Sequence, residues 1–110
     1  MEQPKITDFS KEWKDYKKTY DEKMEKLRVE SQERQKTLEI LAENYKTLNT
    51  RRNDCKLTSE IEAFYLEKSR MELLMYSLNT ELLDIKFKTI YLMMMALNNL
   101  LEIKSKNEFD

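Results

Sequence analysis

The chain has 110 residues, of which 37% are charged and 40% hydrophobic; 20 basic and 21 acidic side chains leave a formal net charge of −1, and there is no glycine, no histidine and one proline. A chain of this size holds one domain at most, and without glycine it cannot build a phosphate-cradling loop, a nucleophile elbow or an oxyanion nest, all of which need small residues at sharp bends. The near-cancelling charge argues against general electrostatic binding to nucleic acid or anionic lipid, which needs a clear basic excess.

What this composition fits is an all-α chain of long helices or coiled coil. It carries too many large apolar side chains for a disordered segment. The opening, Met1 to Lys5, is polar and does not read as a secretory leader. Thr7 or Asp8, just after Pro4, is a plausible N-cap for a first helix.

That helix carries one thin apolar seam: Ile6, Phe9, Trp13, Tyr16, Tyr20, Met24, Leu27, Ser31, Arg34, Leu38, Leu41, Tyr45, Leu48, Arg52 and Cys55. Steps of three and four alternate almost throughout, the 3.5-residue period of a coiled coil, with a stutter at Tyr20. Trp13, Tyr16 and Tyr20 are candidate interface anchors, since Trp and Tyr are favoured in such roles; the other reading makes them knobs of an internal seam. Lys18, Glu22, Lys26, Glu30 and Arg34 alternate in sign at i, i+4 spacing and read as a solvated face. For the seam arginines the preferred reading is a packed stem with the guanidinium in water, over pairing with a partner carboxylate that would fix register.

The stretch Asn49 to Asp54 is polar and rich in residues that bond their own backbone, which marks a turn. Ser59-Glu60-Ile61-Glu62 follows and matches a capping box. The chain therefore reads as a single helical unit: a first helix over about 7–48, a turn within 49–58 and a second helix over about 59–105, folded as an antiparallel α-helical hairpin. The alternative is one continuous helix in an intermolecular coiled coil.

The half of the chain after Cys55 holds 28 of the 44 hydrophobic residues. Leu57, Ile61, Phe64, Met71, Met75, Leu78, Leu82 and Ile85 follow helical spacing, and then a second stripe joins them: Leu83, Phe87, Ile90, Met94, Leu97 and Leu101. From Leu82 to Ile103 the apolar arc covers about 220°, against the ~100° of an ordinary surface helix. One neighbouring helix cannot cover that arc. Leu82, Leu83, Phe87, Ile90, Met94, Leu97 and Leu101, with Trp13, Tyr16 and Tyr20, are thus the candidate partner-binding residues. The longest apolar run, Ile90 to Leu97, is eight residues, far short of the roughly 20 that span a bilayer.

Catalytic chemistry has few materials here. With no histidine the commonest general base is missing, and Cys55 alone makes neither a zinc site nor a cysteine–histidine pair. No catalytic residue, cofactor site or metal site is expected, and no small-molecule substrate. The basic clusters Lys46, Arg51, Arg52, Lys56 and Lys11, Lys14, Lys17, Lys18 read as solvated surface, so nucleic acid is a disfavoured partner. A lone cysteine suits a reducing compartment, cytoplasmic or nuclear. The expected role is a structural or adaptor subunit of a coiled-coil complex, associated with cytoskeleton or chromosomes among other possible hosts. Its partners are other helical chains: hetero-oligomer favoured, homo-oligomer the alternative. A peripheral binder of a polymer, nucleic acid or membrane surface is the remaining rival.

Overall fold

The computed structural model describes the backbone of residues 3–109 and the side chains of residues 11–106. The chain is an all-α antiparallel hairpin: α1 spans Gln3–Thr50, a short 3-10 turn spans Arg52–Asp54, and α2 spans Thr58–Phe109. Two packed units are present. One joins residues 30–84 around the turn; the other joins residues 1–29 to residues 85–110.

α1 starts four residues before Thr7, the earlier of the two residues expected to cap it. Pro4 sits in its first turn, where the missing N–H has no intrahelical partner to lose. The side chains of Ile6 and Phe9, the first two seam residues, and of Thr7 and Asp8, the expected caps, lie outside the described residues. From Trp13 to Cys55 every seam residue is half-buried while its neighbours are exposed, Glu30 and Ser31 forming the one adjacent pair on the inward side.

The reversal is made without glycine. Arg51 donates its N–H to the Leu48 carbonyl (2.9 Å), Asp54 to Arg51 (3.0 Å) and Cys55 to Arg52 (3.3 Å). Arg51 has φ −85° and ψ −6°, and Cys55 is extended at φ −82° and ψ 116°. No described residue has a positive φ. The expected shortage of turn-making residues is met by a tightened helical turn followed by an extended step, both open to ordinary residues.

The start of α2 differs from the capping box read in the sequence. Ile61 donates to the Leu57 carbonyl (3.0 Å), which makes Leu57 the cap and Glu60 the third helical residue. It is Glu60 that reaches back, its Oε2 accepting from the Lys56 N–H at 3.4 Å. Ser59 already lies inside the first turn, so the Ser59–Glu62 pairing is not the one used.

Across the unit around the turn, polar tips close over the seam. Arg34 Nε donates to Glu81 Oε2 (3.0 Å) and Tyr45 Oη donates to Glu72 Oε1 (2.7 Å). Arg52 Nε donates to Tyr65 Oη (3.2 Å), and its guanidinium carbon lies over the same ring, 5.6 Å from the ring centre. The preferred reading of Arg34 as a purely snorkelling side chain is thus corrected: it pairs with a carboxylate of its own chain. The pair is partly solvated, with Arg34 33% and Glu81 50% exposed, and such pairs contribute about 0.2–1 kcal/mol. On the outside of α1, Lys17 pairs with Asp21 (3.6 Å) and Arg28 forms a two-pronged pair with Glu25.

The core is small. Phe64 and Leu82 are buried in the unit around the turn, with Phe64 set edge-on to Tyr65 at 5.1 Å. Ile85, Ala96 and Ile103 are buried in the other unit. No residue is sealed completely from solvent among those described.

Candidate docking face

Within residues 85–106, α2 has two apolar stripes on opposite sides. The inward stripe contains Ile85, Leu92, Ala96, Leu100 and Ile103, interrupted by half-buried Thr89 and Asn99. Asn99 Oδ1 is buried and has no hydrogen-bond partner among the described residues. Thr89 turns its hydroxyl back to the Ile85 carbonyl (2.8 Å), the helix-compatible solution for a hydroxyl facing a seam. Facing this end of α2, Trp13 and Tyr16 stack at 6.1 Å. Beside them Glu12, Asp15 and Tyr16 of α1 and Asn99, Glu102 and Lys106 of α2 line an open groove of about 450 Å³, with Lys106 Nζ 3.8 Å from Glu12.

The outward stripe is the one the spacing picked out. Phe87 is 62% exposed, Ile90 51%, Met94 59%, Leu97 57% and Leu101 53%, with Leu83 exposed one turn earlier on the same helix. Their spacing is four, three, four, three, four, which is itself a heptad seam. Tyr91, Met93 and Met95 are also exposed and broaden it. From Thr89 to Leu101 there is no charged residue at all.

The ten candidate residues therefore fall into two groups. Leu83, Phe87, Ile90, Met94, Leu97 and Leu101 stand together on a bare face. Leu82 is buried in the hairpin, and Trp13, Tyr16 and Tyr20 are half-buried on the inward side of α1. Those four residues belong to the internal seam, because the 3.5-residue period of each helix assigns them to the side that meets the other. Tyr91 and Met93, absent from the candidates, flank the bare stripe. The signal for them was present in the uncharged run Thr89–Leu101.

Hydrogen bonding and charge from Arg52 lower the Tyr65 phenol below its usual value. Hydrogen bonding to Arg28 lowers the Glu25 carboxyl. Neither group is on the bare face. No cluster of His, Cys, Asp or Glu able to hold a metal occurs among the described residues, and no helix is long and apolar enough to cross a membrane. Comparison with known protein families, with curated proteins and with solved structures finds no match to this chain.

Proposed function

We propose that this chain is a non-enzymatic structural or adaptor subunit of an intracellular coiled-coil complex, docking through the apolar outer face of α2 against further helices. The observation that carries the reading is the second heptad seam, Leu83 to Leu101, left bare on the side of α2 away from α1. Water-exposed apolar patches of this extent mark interaction surfaces, and 4-3 spacing is the form another helix packs against. Methionines 93, 94 and 95 give the face side chains that refit to a neighbour's shape.

The reading is tested in cells with a tagged chain and its Ile90→Asp, Met94→Asp, Leu97→Asp variant. All three positions are exposed, so the variant keeps its helix content by circular dichroism. Cross-linking before purification recovers helical proteins, including untagged copies of the chain, with the wild type and loses them with the variant. Recovery of the same set by both would overturn the reading.

A further inference from the structure

Resting on that docking reading, we infer that the occupant of the outer seam is a second copy of this chain, paired antiparallel along α2. The 4-3-4-3-4 spacing reads identically from either end. A two-fold axis through position 92 then sets Leu83 against the partner's Leu101, Phe87 against the partner's Leu97, and Ile90 against the partner's Met94. Every layer joins two apolar side chains, and the contact is self-complementary, as a two-fold interface requires. A parallel copy in register would instead stack Phe87 on its own equivalent and continue into Lys104 against the partner's Lys104, a like-charge layer.

The flanking positions favour self-pairing over a dedicated foreign partner. Coiled coils choose partners by the charges beside the seam. Here one flank is Asp84, Tyr91 and Asn98, and the other is Lys86, Met93 and Leu100. The two charges lie at one end only, so antiparallel pairing carries them to opposite ends of the interface and no like charges meet. Nothing beside the stripe repels a copy of itself, a device that natural proteins use where self-association is to be avoided.

Area is compatible with the same occupant: at the exposures found, the six stripe side chains expose on the order of 700 Å² per chain, the most that pairing over them can bury, against the ~800 Å² per partner of a standard stable interface. The hairpin partner does not obstruct it, since α1 packs against the inward stripe on the other side.

Sedimentation of the purified chain over a concentration series reads the outcome. The expected mass approaches twice the 13.4 kDa of one chain, and the Ile90→Asp, Met94→Asp, Leu97→Asp variant stays at the single-chain mass with its helicity kept. Direction is read by disulfide formation in a Cys55→Ser background. A mixture of Leu83→Cys and Leu101→Cys chains forms the mixed cross-link, while neither variant alone forms its own. Efficient cross-linking of each variant with itself would mean parallel pairing and would overturn the inference. So would a wild type that stays monomeric throughout; if the aspartate variant then still loses its cellular partners, docking survives with a different occupant. A dimer that persists in the aspartate variant would also overturn the inference, because the copies would then meet through another face; the docking reading stands or falls on the cellular recovery.

Discussion

The outsides of the two helices in the unit joining residues 1–29 to 85–110 are built from different materials. Over residues 11–29, twelve of the fourteen exposed side chains are charged, and Val29 is the one apolar exception. Over residues 85–106, five of fifteen exposed side chains are charged and eight are apolar. Both helices also turn an apolar seam inward, so the need to fold explains one stripe on each. It does not explain the second stripe on α2. Charge on α1 marks a surface finished against water, and the bare stripe on α2 marks one finished by contact.

The sharpest way to break that contrast uses one residue type on one helix. Ile85 is 5% exposed and Ile90 is 51% exposed. Ile85→Ala should destabilise the hairpin by about 2 kcal/mol, the low end for a buried isoleucine because the core is thin. Ile90→Ala should change it by about 0.5 kcal/mol or less when measured in dilute solution. Urea denaturation at low protein concentration checks both, and equal losses would show that the two stripes do the same job.

A smaller effect is expected inside the covered seam. Asn99 faces inward with its side-chain carbonyl oxygen buried and without a partner among the described residues, an arrangement that costs about 1–3 kcal/mol. Asn99→Leu should raise stability by about 1 kcal/mol, seen as a higher urea midpoint with an unchanged slope. A loss would show that the amide makes contacts worth more than its buried oxygen costs.

The smallest effect lies at the turn and depends on pH. Arg52 lowers the Tyr65 phenol in the folded chain, so folding favours the ionised ring. This contribution is fully present above the phenol's unfolded value and is lost as pH falls through the lowered folded value. Ultraviolet titration should find the Tyr65 phenol ionising below the usual phenol range, and Arg52→Leu should return it to that range. An unchanged titration would mean that Arg52 does not hold the hydroxyl in solution.

Much of the hairpin could be read from residue spacing, because its helices obey one simple rule. Seam residues from Trp13 to Cys55 recur at steps of three and four, and those are the positions that turn inward. The polar stretch at 49–54 contains the break, but the turn there is closed by backbone hydrogen bonds from Arg51, Asp54 and Cys55 and not by the side chains that marked it. Less was legible where two solutions share one composition. Glu60 and Glu62 are equally able to reach back over a helix start, and only the backbone decides that Leu57 is the cap. Leu82 and Leu83 are adjacent leucines in an apolar arc, and spacing alone did not say which one the hairpin would bury. Arg34 found Glu81, 47 residues away, a pairing visible only once the register of the two helices is set.

The bend itself has a consequence of its own. Nothing between Arg51 and Leu57 needs a backbone shape closed to ordinary residues, and no glycine or proline stands there to forbid a helix from running straight through. The elbow has no local lock. What keeps the two arms folded back is their grip on each other, so substitutions that loosen that grip act on the hinge from a distance, while replacements within the elbow itself are easily absorbed.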